Sequence, residues 1–198
     1  MLGLLPTSLQ VAGKQYNIQT DYRNILRIIT AYTDKELTDS EKVYICMRRL
    51  YGEDFFKIPS DDYEEAIKQA NLFIENGEHE DRPSPRVINW EKDEMLLFPA
   101  INKIAGTEVR ALQYMHWWTF LGCFQNIDPE STWGYILTLR QKRARGKKFE
   151  KHEKEFWNNN RLLCSVDPPK TVKRGKDRLD SIFDDILEEQ RGGGSEDG

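Results

Sequence analysis

The sequence predicts a mainly α-helical fold, with an N-terminal β-hairpin followed by a helical bundle and a flexible tail carrying a short amphipathic helix. Three observations carry this expectation. Apolar residues recur at helical spacing in segment after segment, each with its own start and stop signals. Only the opening stretch alternates apolar and polar residues about a glycine turn. After Ser165, prolines and lysines displace apolar residues until a last stripe begins at Leu179.

Taken in order, residues 8–11 and 15–18 flank Ala12-Gly13-Lys14 and read as two short strands joined by a tight turn. Thr20 is positioned to cap a helix whose Tyr22, Ile25, Leu26, Ile28 and Ile29 share one face. Thr38-Asp39-Ser40-Glu41 is a capping box, in which a hydroxyl and a carboxylate three residues on serve each other's orphan amides. The helix it opens carries Val43, Met47 and Leu50 and should stop at Gly52. Ser60 can cap a third helix, with Tyr63, Ala66, Ile67, Ala70, Phe73 and Ile74 as its stripe and Gly77 as its end.

Residues 78–87 break the pattern with Glu78, Glu80, Asp81, Pro83 and Pro85. This acidic linker or loop divides a hairpin-plus-helices segment, 1–77, from a helical bundle over 88–164. In the second segment helices are expected over 90–105, 108–126, 132 to about 145, and roughly 149–163. Pro99 should kink the first or mark a break in it. The remainder, 165–198, reads as a flexible tail with a helix over 178–190. In it Leu179, Ile182, Phe183, Ile186 and Leu187 form one apolar stripe. So short a helix is unstable alone, and its stripe needs a groove on its own body or on a partner, including a second copy in a homo-oligomer.

The 198 residues carry 29 basic and 33 acidic side chains, a formal net charge of −4. That balance gives no overall attraction to nucleic acid or to anionic lipid. No apolar run approaches the roughly 20 residues of a membrane span, and the opening residues lack a basic n-region, so a cytoplasmic location is expected. Cys46, Cys123 and Cys164 are odd in number and widely spaced, which suits reduced thiols better than disulfides or zinc.

Phosphate-binding glycine loops, nucleophile elbows, zinc-binding HExxH and calcium loops are absent from the sequence, so no cofactor and no enzymatic activity are expected. Among the histidines, His116 is the one to weigh, with Asp93 a helix away. The pair would be an acid–base arrangement if the two met, and a packed histidine if they did not. The strongest local charge is the basic stretch of Arg140, Lys142, Arg143, Arg145, Lys147 and Lys148, continuing to Lys154. Such a stretch serves phosphates, an acidic protein segment, or only solvent. Phe149 and Trp157 lie beside it for stacking, which makes a nucleic-acid-binding regulator the alternative function.

From Trp90 to Arg140 the pattern becomes specific. Asp93 follows Trp90 by three residues, a helix then ends at Gly106, and Leu112 precedes His116-Trp117-Trp118 with Phe120, followed by Ile136 and Arg140. With the opening hairpin and the acidic loop, this resembles a protein family of long-tailed phages of Gram-positive hosts, taken to be tail assembly chaperones encoded beside the tape-measure gene. The resemblance spans residues 1 to about 163. It implies a helical protein of the host cytoplasm, absent from the mature virion, that binds the tape-measure protein and assists polymerisation of the tail-tube protein. Trp117 and Trp118, with the tail stripe, are the candidate partner-binding residues. Adjacent helical positions point about 100° apart, so one tryptophan should enter the core and the other a second interface.

Overall fold

The computed structural model describes residues 3–76 and 85–167. Strands β1 (Ser8–Val11) and β2 (Lys14–Asn17) form an antiparallel hairpin in which Val11 pairs with Lys14. Its two-residue turn places Ala12 at φ 47° and Gly13 at φ 77°, the left-handed pair that matches strand twist. The hairpin buries Val11 and Tyr16, and the Ala12 amide donates to Glu65 on a later helix at 3.1 Å.

Three helices follow: α1 (Tyr22–Thr33), α2 (Asp39–Tyr51) and α3 (Tyr63–Ile74). The expected cap of α1 shifts by one residue. Asp21, not Thr20, accepts from the Arg23 amide, while the Thr20 hydroxyl bonds Tyr114 at 2.6 Å. The capping box at Thr38 and Glu41 forms as expected. Residues 52–62 wind through two 3-10 turns, and the helix expected from Ser60 becomes regular only at Tyr63, without a side-chain cap. Gly77, its expected stop, lies outside the described residues, as does most of the 78–87 segment.

The second half contains α4 (Glu94–Ala105), α5 (Trp117–Gln125), α6 (Thr132–Ala144), α7 (Lys151–Asn159) and α8 (Arg161–Cys164). Two expectations are corrected here. Pro99 marks no break, because α4 runs from Glu94 to Ala105 through it. The single helix expected over 108–126 is instead a 3-10 turn at Val109–Ala111, an extended link, and α5. His116 ends that link because it pairs with Asp21 in an isolated β-bridge, flanked by Tyr22 N–H to Met115 O and Trp117 N–H to Thr20 O. Both α1 and α5 therefore start from one shared bridge.

A buried cluster runs from Val11 and Tyr16 through α1, α2 and α3 to α4, α5, α6, Trp157 and Cys164. Tyr22 stacks on Phe120 at 4.3 Å between ring centres, and Trp117 stacks on Phe120 at 5.9 Å. Gly134 lets α6 seat against the Asp128-Pro129 backbone, where a Cβ would come within 2.8 Å of Pro129 Cα. No helix of the described residues is long and apolar enough to cross a membrane.

Candidate functional site

The residues that made the sequence distinctive converge in the interior. Arg140, on α6, is 2% exposed and so is Asp93, just before α4. Arg140 Nη1 donates to Asp93 Oδ2 at 2.6 Å and Nη2 to Oδ1 at 2.9 Å. The other donors reach carbonyls: Nε to Cys164, Nη1 to Val87, and Nη2 to Leu163 and Ser165. Every guanidinium N–H thus has an acceptor, which is the condition for keeping such a charge buried. The planar group also lies 5.3 Å over the Trp133 ring. Lys92 donates to Ser165 O and Asn89 to Val166 O, so the 85–93 segment and the 163–166 segment are tied by side chains on both. Burial, and then the Arg140 charge, push the Lys92 ammonium below its ordinary pKa.

This removes Arg140 from the basic patch. The remaining members divide as well: Lys142 is held by Glu153, while Arg143, Arg145, Lys147 and Lys148 are exposed. The Lys142 hydrogen bond holds the Glu153 carboxyl below the usual range, and Glu153 raises Lys142 in return. Nor do His116 and Asp93 meet. His116 Nε2 donates to Pro6 O at 2.9 Å, its Nδ1 accepts from the Trp118 amide at 3.1 Å, and the ring caps α5.

Trp117 is buried and Trp118 half-buried. Yet both indoles donate to one helix end, Trp117 to Ile74 O and Trp118 to Phe73 O, each at 2.9 Å. A helix C-terminus leaves carbonyls without partners, and two long side chains that diverge at Cα converge on them. Trp117 enters the core as expected, and Trp118 shares its seat on α3. Leu179, Ile182, Phe183, Ile186 and Leu187 lie outside the described residues.

Two of the surface grooves bear on partner binding. One encloses about 420 Å³ between α2, the 52–57 turn and α3, lined by Val43, Tyr44, Met47, Phe55 and Tyr63 with Asp39 and Ser40 at its edge. Phe55 is its floor, edge-on to Tyr44 at 5.9 Å and stacked with Tyr63 at 5.6 Å. Tyr44 and the neighbouring Phe56 are 56% and 65% exposed, unusual for aromatics this close together. Acids surround them in the chain: Asp39, Glu53, Asp61, Asp62 and Glu64 are on the same elements. The other groove, between α6 and α7, is lined by Arg143, Lys148, Phe149, Lys154, Trp157 and Asn158 and encloses about 430 Å³. Arg143 lies 4.7 Å over the Trp157 ring.

The aromatic groove escaped sequence reasoning because Val43 and Tyr63 fit the stripe of a core-facing helix. The adjacent Phe55 and Phe56 were the available signal, since a 3-10 turn cannot bury both.

Residues 1–162 match the family described as bacteriophage Gp15 protein. The chain belongs to this family. It is therefore a bacteriophage protein, and the buried Asp93–Arg140 pair, the indole seat on α3 and the Tyr22–Phe120 stack all lie within the matched residues of this Gp15-family chain. No curated protein and no solved structure matches it.

Proposed function

We propose that this chain is a tail assembly chaperone that binds the phage tape-measure protein and assists polymerisation of the tail-tube protein, working in the host cytoplasm and absent from the mature virion. The observation that carries the reading is the open aromatic groove of Tyr44, Phe55 and Tyr63, with exposed Phe56 beside it, on a bacteriophage protein. A long helical partner that exposes apolar faces before assembly needs shielding, and a groove of this size accepts one face of one helix. The acids around it favour a partner helix whose apolar stripe is flanked by lysine or arginine.

The test is capture of overlapping tape-measure fragments by the full chain. At least one fragment should be retained, and Tyr44→Ala or Phe56→Glu should weaken it by about 30-fold, the loss of an aromatic anchor worth about 2 kcal/mol. Retention of no fragment, or equal retention by the variants, overturns the reading. Exposed Arg143, Arg145, Lys147 and Lys148 favour a second reading, a nucleic-acid-binding regulator, in which the chain holds DNA or RNA with an affinity that falls steeply as salt rises.

A further inference from the structure

The described chain stops at Asp167, on the edge of an arginine-lined cavity of about 520 Å³. Arg86, Arg143 and Arg161 line it with Trp157, Cys164 and Asp167 itself. Arg86 pairs with Asp167 at 3.0 Å at this edge. Arg143 and Trp157 also line the α6–α7 groove, so the two concavities are continuous from the exit to Lys148, Phe149 and Lys154. Along this path the lining holds five cations on or near the surface, Arg86, Arg143, Lys148, Lys154 and Arg161, against Asp167. Its floor is aromatic.

We propose that residues 177–190 of this same chain dock along that basic aromatic groove. Three facts select this occupant. The segment carries Asp177, Asp180, Asp184, Asp185, Glu188 and Glu189 against Arg178 alone, the charge opposite to that of the groove. Leu179, Ile182, Phe183, Ile186 and Leu187 recur at helical spacing and supply an apolar face for Phe149 and Trp157. Twelve residue steps separate Asp167 from Leu179, a span of up to about 40 Å when fully extended, enough for the segment to reach the groove. The aromatic groove on α2 and α3 is lined by Asp39 and no cation, which suits the same acidic segment less well.

The assignment is independent of the tape-measure reading, because it concerns the free protein. It gives the basic stretch a ligand within the chain. The segment lies past residues 1–162, which match the family.

Amide hydrogen exchange on the full chain tests it. At the roughly 1 mM effective concentration of a short tether, a segment with an intrinsic Kd of about 0.1 mM slows exchange about tenfold where it docks. Peptides over 147–158 should therefore exchange about tenfold more slowly in the wild type than in Phe183→Glu, a change that alters none of the core residues of the described body. Asp184→Lys with Asp185→Lys should remove the same protection, and adding Lys148→Glu with Lys154→Glu should restore it. Equal exchange in all variants overturns the proposal. Protection that rises with protein concentration, alongside a doubled mass by light scattering, assigns the segment to a second copy and overturns it too. A third overturning result is oligonucleotide binding of equal affinity in wild type and Phe183→Glu, which assigns the groove to nucleic acid.

Discussion

Asp93 and Arg140 are the pair on which single substitutions act most strongly. Asp93→Ala leaves the guanidinium charge enclosed without its counter-charge, a loss of about 3–5 kcal/mol. That is a large part of the roughly 5–15 kcal/mol that holds a typical domain folded. Urea denaturation should show the midpoint falling accordingly, whereas Asp93→Leu with Arg140→Met should cost clearly less than Asp93→Ala. An Asp93→Ala protein as stable as wild type would mean that the pair contributes little. The sequence revealed Trp90, Asp93 and Arg140 as a group but assigned Arg140 to a surface patch, because a run of cations shows sign and not burial. His116 shows the same limit: its neighbours in the chain were visible, but Pro6, its partner 110 residues away, was not.

At the scale of elements, start signals carried well where one side chain does the work. Thr38 and Glu41 announced α2, whereas Ser131, which caps α6 by accepting from the Gly134 amide at 3.1 Å, was not singled out in the sequence. They carried poorly where a distant strand or loop fixes the boundary, as at His116, whose extended backbone is held by Asp21. The junction of α4 with the Val109–Ala111 turn is fixed by Glu108, which accepts from Arg110 Nε at 2.8 Å and Asn102 Nδ2 at 2.8 Å. The Arg110 hydrogen bond, with help from Asn102, lowers the Glu108 carboxyl from 4.5 to about 2. A depressed carboxylate contributes stability that is fully present above its ordinary pKa and is lost as pH falls through the folded value. Between pH 4.5 and about 2 the melting temperature of wild type should therefore fall faster than that of Glu108→Gln. Parallel curves would remove Glu108 from the acid response.

Across the whole molecule, the two halves separated by residues 77–84 share aromatic contacts that neither completes alone. Tyr22 of α1 stacks on Phe120 of α5, and the indoles of α5 seat on the carbonyls that end α3. Heating should consequently unfold both together, with tryptophan fluorescence and far-ultraviolet circular dichroism giving coincident transitions. Two separated transitions would show that the halves hold themselves. Helical class and hairpin were legible because local periodicity sets them. The grooves were not, since exposure of Tyr44 and Phe56 depends on how α2, a 3-10 turn and α3 meet in space.

The carbonyls around Arg140 also set a clock on synthesis. Asp93 and Val87 leave the ribosome before Arg140 does, but Leu163, Cys164 and Ser165 follow it by 23 to 25 residues. At about 5–20 residues per second that interval is roughly one to five seconds, during which the guanidinium has its carboxylate but only part of its cage. A nascent chain released before residue 163 would keep a charged, half-satisfied group at its centre, so completion of the body waits on its last helical turn.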